Sequence, residues 1–255
     1  MDDKHVQIEV RHGLATITLD RPPLNVLNIP VMAELNTGLE ALLADTNLAA
    51  IVIRANGKAF SAGVDISDHT ADKVGEMMRQ FHGIFRKLAA TDALTIAVVQ
   101  GAALGGGCEL ATFCDIVLAS DRAKFGQPEV QVGVFPPVAA CVFPPQIGIR
   151  KALELNCLGM VLDAQEAHRI GLVSQVFPAE EFDARVEQYL DGVRKLSRPV
   201  VRMAKRATVG VTRDQILAHL DQVERLYLGD LMKLSDAHEG IAAFLAKRPP
   251  NWKHA

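Results

Sequence analysis

Two glutamates stand out for the company they keep. Glu109 lies in "GAALGGGCEL" (101–110), beside glycines at 101, 105, 106 and 107 and with no lysine or arginine in the stretch. Glu129 follows twenty positions later in "KFGQPEVQVG". Carboxyls set in apolar or Gly/Pro-shaped segments suit general acid–base work, because burial and mutual repulsion hold a close pair in different protonation states. Glycines at a strand-to-helix junction leave peptide N–H groups uncovered at a helix N-terminus, where the dipole favours negative charge. A phosphate or a developing oxyanion suits that place. The phosphate alternative fits poorly, since no GxxxxGK[ST] is present and the stretch lies mid-chain, unlike a dinucleotide fingerprint. A second loop, "KAFSAGVDI" (58–66), has the same pattern of small residues after a buried strand. Two such loops could each aim one N–H at a shared oxygen. Singly, every one of these features also suits a structural role: the glycines close helix–sheet packing, Glu109 a helix start, Glu129 a solvated turn.

Periodicity predicts the elements that must position these groups. Residues 6–10 and 14–19 alternate apolar and polar across "RHG", a β-hairpin signal. Asn28 caps a helix whose Val31, Leu35, Leu39 and Leu42 recur at helical spacing, with Pro30 tolerated in the first turn. Buried strands are predicted at 49–55, 95–100, 115–120 and 172–177, with helices over about 71–90 and 107–113 between them. Strands alternating with helices give an α/β layered fold. Asp163 with Glu166 forms a capping-box signal, and Gly171 a stop. Helices are expected at 180–196, 199–209, 213–233 and 236–246, and the repeated "VFPP" (134–137, 142–145) marks a rigid loop.

Composition excludes several classes. The chain has 255 residues, is 49% hydrophobic and carries a formal net charge of −3. A sizeable core is possible, and the absence of a basic run speaks against nucleic acid. No apolar run approaches the ~20 residues of a membrane helix. The polar start "MDDKHVQIEV" argues against a secretory leader. Cys108, Cys114, Cys141 and Cys157 form no CxxC pair and sit in apolar company, so buried reduced thiols in a cytoplasmic protein are expected, with no metal.

Together these blocks resemble the crotonase superfamily, the enoyl-CoA hydratase/isomerase family, over nearly the whole chain. "LDRPPLNVL", "AFSAGVDI", "GAALGGGCELATFCDIVLAS", "AKFGQPEVQVGVFP" and "EAHRIGLVSQVF" occur in the family's order and at about its spacing. The resemblance implies a crotonase fold: a spiral of ββα units over 1–197, then a helical trimerisation region over 198–255, often assembling as hexamers. It implies an acyl-CoA thioester substrate and no separate cofactor. It places the thioester oxygen between the N–H groups of Val64 and Gly106, and a water between Glu109 and Glu129. Retention of both glutamates favours hydration over isomerisation. CoA contacts are expected along Ala59, Ala62, Asp65 and Ile66, with Arg21, Lys247 and Arg248 as candidate phosphate partners; ordinary surface solvation is the alternative for each cation and the favoured one for Lys247 and Arg248. Asp65 suits a helix cap equally.

Two departures narrow the resemblance. "GVFPPVAACVFPPQIG" (133–148) replaces the polar Gly-Gly-Thr-Gln-Arg type segment of many members, and "DRPPLNVLN" is one residue short of the commoner form. An apolar, stiff acyl pocket is expected, with Phe135, Val138, Val142 and Phe143 as wall candidates; core packing is the alternative for each. Both features look like the cyclohexa-1,5-diene-1-carbonyl-CoA hydratases. The runner-up is a short-chain enoyl-CoA hydratase. A non-catalytic or RNA-binding member of the fold is the alternative from another class, and the acidic pI and the two retained glutamates weigh against it.

Overall fold

The computed structural model describes residues 4–255; the acidic start at residues 1–3, read above against a leader, lies outside the described residues. The chain opens with β1 (Val6–Arg11) and β2 (Leu14–Leu19), then α1 (Ile29–Leu43). Three turns of a spiral follow. The first is β3 (Ala50–Ala55), β4 (Ala59–Ser61) and α2 (Val74–Ala90); the second is β5 (Leu94–Val99), β6 (Ala102–Leu104) and α3 (Gly106–Phe113). The third is β7 (Ile116–Ser120), β8 (Lys124–Gly126) and α4 (Pro137–Ile147). The remainder is α5 (Ile149–Leu158), β9 (Val161–Asp163), α6 (Ala164–Arg169), β10 (Gln175–Phe177), α7 (Phe182–Arg194), α8 (Arg198–Gly229) and α9 (Ser235–Leu245).

Each spiral turn adds one strand to each of two sheets. The larger sheet has the order β1-β2-β3-β5-β7-β10 and the smaller β4-β6-β8-β9. β1 and β2 pair antiparallel; β2, β3, β5, β7 and β10 run parallel. The hairpin turn is His12–Gly13, both at positive φ (51° and 80°), the conformation a two-residue turn needs. β3, β5 and β7 read as continuous apolar runs because helices and the second sheet cover both of their faces. Asn28 Oδ1 accepts from Val31 N at 3.2 Å, and Val31, Leu35, Leu39 and Leu42 are buried, as their spacing predicts. Asp163 Oδ1 accepts from Glu166 N at 2.8 Å at the start of α6. Phe60 and Phe125, fully buried on the smaller sheet, each contribute about 2–3 kcal/mol by burial.

Three expectations are corrected. The second "VFPP" is not loop: α4 runs through it with Pro144 and Pro145 inside. Burial of Val138, Ala139, Cys141, Val142 and Phe143 favours helix there, and the prolines fall in the last turn, shortly before Gly148 ends it. The two helices expected at 199–209 and 213–233 are one, α8, because Gly210 alone is a weak breaker. Cys157 is exposed, whereas the other three thiols are buried.

The helical segment from residue 198 shares the spiral's core through Leu220, Val223, Tyr227 and Ile241. α8 is also fastened by polar contacts. Lys205 Nζ, on a side chain 1% exposed, lies 2.7 Å from Asp115 Oδ2 and donates at 2.7 Å to Ala93 O. His82 Nδ1 on α2 lies 2.6 Å from Glu224 Oε2, which also accepts from Arg86 at 3.0 Å. A buried pair stripped of one partner leaves an uncompensated charge. Lys205→Met is therefore expected to lower the unfolding free energy by about 3 kcal/mol in urea denaturation; a loss under about 1 kcal/mol would contradict this reading of Asp115.

Candidate active site

The smaller sheet delivers both glutamates to one cavity of about 550 Å³. β6 ends at Leu104, Gly105 turns the chain, and α3 begins at Gly106 with Glu109 in its first turn. β8 ends at Gly126, and a short 3-10 helix at Pro128–Val132 carries Glu129. β6 and β8 are hydrogen-bonded neighbours, so the two turns emerge side by side. Gly105 has φ 52° and ψ −131°, a conformation open essentially only to glycine. A Cβ there would sit 2.9 Å from Glu129 Oε1, so glycine also makes room for that carboxyl.

Glu109 is 2% exposed, not the solvated helix start that its position alone allows. Its Oε1 accepts from Val138 N at 2.7 Å and Ala139 N at 2.8 Å. These are first-turn amides of α4, so a helix N-terminus grips the carboxylate, and Pro137 ahead of them has no N–H to waste. Burial pushes the Glu109 pKa up to about 7 against the pull of those two amides. Glu129 is half-buried and faces the same cavity. Its carboxyl is pushed well above the usual range, first by burial and then by the charge of Glu109. Gln127, fully buried, has its amide oriented by its surroundings: with Nε2 donating, it reaches Glu129 Oε1 at 3.1 Å, Oε2 at 3.2 Å and Gly105 O at 3.2 Å.

The second loop arrives from β4. Ser61 Oγ, buried, donates to Asn25 O at 2.8 Å and accepts from Gly63 N at 3.1 Å. Gly63, at φ 102°, brings the loop against the first: a Cβ on it would meet Leu104 O at 2.9 Å and Gly106 N at 3.3 Å. Leu27 N donates to Gly63 O and Asp65 N to Leu27 O, which pins the peptide on either side of Val64. Among the described residues, neither the Val64 N–H nor the Gly106 N–H finds an acceptor. Both residues line the cavity, so two uncovered amide donors stand beside two carboxyls.

The cavity also takes in Arg21, Ala62, Asp65, Ile66 and Phe135. Asp65 is at once a cap, accepting from Ser67 N at 3.0 Å. The remaining candidates lie elsewhere. Ala59 is buried in β4, and Phe143 is fully enclosed in α4. Val142 faces a different cavity, beneath α8. Val138 serves Glu109 through its backbone, not its side chain. As pocket walls Val138, Val142 and Phe143 are corrected, because α4 turns its apolar side chains into the core and its N-terminus toward the site, and Ala59, expected on the CoA path, is enclosed in β4 away from the cavity. Lys247 is exposed and Arg248 pairs with Glu239 at 2.6 Å, both away from the cavity. Sequence reasoning missed Gln127, although a glutamine in "FGQPE" two residues before a carboxyl was a signal. It also missed Phe81, Tyr227 and Phe244, which α2, α8 and α9 contribute to the walls. Tyr227, 1% exposed, packs edge-on against Phe135 with ring centroids 5.1 Å apart.

A ββα spiral with carboxyls and free amides converging on one cavity is an arrangement suited to proton transfer beside a polarised oxygen. The enoyl-CoA hydratase/isomerase family model matches residues 9–255, and the chain belongs to that family. It is 40% identical over 253 residues to a probable enoyl-CoA hydratase of Rhizobium meliloti (strain 1021), covering 97% of each chain. It is 35% identical over 250 residues to the cyclohexa-1,5-dienecarbonyl-CoA hydratase of Thauera aromatica, covering 98% of this chain and 96% of the relative. Among solved structures, an enoyl-CoA hydratase from Mycobacterium avium subsp. paratuberculosis K-10 superimposes with a TM-score of 0.88 at 29% identity, covering 98% of both chains. The chain is thus a hydro-lyase of the enoyl-CoA hydratase type. No helix among the described residues is long and apolar enough to cross a membrane.

Two outcomes test the site. Gly105→Ala is expected to lower kcat/KM for enoyl-CoA hydration at least about tenfold, since it adds about 1–3 kcal/mol of backbone strain and crowds Glu129; a wild-type rate would contradict the packing argument. A carboxyl raised to about 7 is neutral below that pH and is a base only above it. If Glu109 is the base, kcat/KM rises with pH through about 7 and declines where Glu129 loses its proton. A profile flat from about pH 5 to about pH 8 would remove Glu109 from that role.

Proposed function

We propose that the chain adds water to a conjugated acyl-CoA thioester, and that a cyclic dienoyl group, cyclohexa-1,5-diene-1-carbonyl, is the acyl group, giving 6-hydroxycyclohex-1-ene-1-carbonyl-CoA. The observation that carries the reaction is the pair of glutamates facing one cavity beside the unpaired amides of Val64 and Gly106. In this reading the thioester oxygen accepts from both amides, which stabilise the charge that moves onto it as water attacks the conjugated system. Glu109, whose carboxylate two amides favour, takes a proton from water, and the hydroxyl oxygen bonds to carbon. Glu129, kept protonated by burial and by the charge of Glu109, gives its proton to a carbon of the conjugated system. Proton exchange between the two then restores the starting state. Gln127 holds Glu129 in line.

Arg21 pairs with no carboxylate among the described residues and lines the cavity along with Asp65 and Ile66, which suits a CoA phosphate. The scheme needs no cofactor beyond the CoA carried by the substrate. Support for the ring comes from Phe81, Phe135 and Tyr227 around the cavity and from the Thauera relative. A linear short-chain enoyl group is the second reading, favoured by a crotonyl-CoA hydratase from Syntrophomonas wolfei that is 33% identical over 256 residues. A homotrimer or dimer of trimers fits the exposed apolar residues Val200, Met203 and Val211 on α8, and the buried thiols fit a cytoplasmic protein.

Loss of the conjugated chromophore measures turnover. Glu109→Gln and Glu129→Gln are each expected to lose about 10²–10⁴-fold in kcat, with binding of a saturated acyl-CoA retained. Near-normal turnover in either variant removes that carboxyl from the mechanism. Assayed side by side, the cyclic dienoyl-CoA is expected to outpace crotonyl-CoA; exclusive use of the linear substrate leaves the hydratase reading and defeats the ring.

A further inference from the structure

The hydration scheme gives the attacking water an acceptor in Glu109 and no donor. A water held by one hydrogen bond turns freely about it, and attack on carbon needs a lone pair aimed along one line. A second fixed contact, to the water oxygen, would supply that aim. The donors already assigned are committed elsewhere. Gln127 is engaged with Glu129 and Gly105 O, and the amides of Val64 and Gly106 serve the thioester oxygen in that scheme.

Tyr227 brings an uncommitted donor to the same place. It lies near the end of α8, in the same helical turn as Glu224, which His82 and Arg86 hold. Its ring packs edge-on against Phe135, with centroids 5.1 Å apart. Phe135 sits in the short stretch that anchors both glutamates. Val134 N donates to Glu129 O at 3.2 Å, and Val138 N and Ala139 N donate to Glu109 Oε1 at 2.7 and 2.8 Å. Burial first, then the charges of Glu129 and Glu109, raise the pKa of the phenol, so its hydroxyl lies within electrostatic reach of both carboxyls and keeps its proton. Tyr227 lines the cavity and is 1% exposed. Among the described residues its hydroxyl has no hydrogen-bond partner, yet it is not one of the sealed polar atoms, so the little surface that the side chain keeps includes that oxygen. A buried phenol normally has a partner. A bridging oxygen between this hydroxyl and the carboxyls would provide it.

We propose that the Tyr227 hydroxyl is a third catalytic group, donating a hydrogen bond to the oxygen of the reacting water while Glu109 accepts one of its hydrogens. One lone pair of the water is then occupied and the other is left for carbon. In the reverse reaction the same O–H supports the departing oxygen, and in the product complex it meets the new hydroxyl. This rests on the hydratase reading and holds for the cyclic and the linear acyl group alike, because both products carry the oxygen that came from water.

Tyr227→Phe removes the hydroxyl and keeps the ring that meets Phe135. It is expected to lower kcat for hydration about 10–100-fold with KM nearly unchanged. The contact itself is read by calorimetry on the full chain carrying Glu129→Gln, which slows loss of the bound hydroxyl. The probes are each product and its counterpart without the hydroxyl: 6-hydroxycyclohex-1-ene-1-carbonyl-CoA against cyclohex-1-ene-1-carbonyl-CoA, and 3-hydroxybutyryl-CoA against butyryl-CoA. In the pair that wild type turns over faster, adding Tyr227→Phe is expected to cut the relative affinity of the hydroxylated member about three- to tenfold, with its counterpart bound as before. The proposal is overturned if kcat stays within about twofold of wild type, if the relative affinity does not change, or if both members weaken by the same factor, the mark of a packing role alone. Should Tyr227→Phe not fold, Tyr227→Met is read the same way. If wild type hydrates neither acyl-CoA, the hydratase reading fails, and the ratio in the tighter-binding pair decides whether Tyr227 holds a hydroxyl.

Discussion

Everything in this molecule answers to the burial of two carboxyls in one apolar cavity. Such groups are expensive to bring out of water unless they are paired, neutralised or given fixed donors. The chain uses the last two devices, one for each glutamate. Glu109 receives two α4 amides, and Glu129 is pushed toward its neutral form beside it. The asymmetry is what separates their protonation behaviour, and it comes from backbone placement, not from any nearby cation.

The spiral makes that placement possible. Each of its turns sends a short strand into the smaller sheet, and adjacent short strands deliver adjacent loops. The loops after β4, β6 and β8 therefore carry Val64, Gly106 and Glu129 to one spot, although these residues are far apart in the chain. Glycines at 63 and 105 are required because the loops approach one another within van der Waals distance. The larger sheet takes no direct part. It supplies a rigid, apolar base through β3, β5 and β7 and fixes the spacing between successive turns.

Much of this was legible in the residue pattern, and the failures have physical reasons. Strand runs and the α1 stripe were readable because burial imposes a period. The two glutamates drew attention through their apolar, Gly/Pro-shaped segments, yet each feature singly also suits a structural role, and the pairing of the Val64 and Gly106 amides rests on the family resemblance of the ordered blocks. The walls were not readable. Tyr227 and Phe244 reach the cavity only through the packing of α8 and α9, which no local period encodes. The proline-rich stretch misled because proline signals a turn locally, whereas here an apolar run buried on several sides outweighs it and makes helix. Val138 shows the same limit at finer grain: a side chain read for its hydrophobicity contributes through its N–H.

The reach of α8 has one more implication. By residue 197 a chain emerging from the ribosome contains the three loops of the reactive centre, after β4, β6 and β8, but neither Tyr227 nor Phe244. Its half-built cleft would stand open on one side, wet and unable to hold a carboxyl neutral. The chamber is complete only with a helix that Lys205 fastens to the sheet and that His82 and Arg86 grip near its far end through Glu224. Synthesis order itself would keep an immature spiral from acting on thioesters before its chamber is shut.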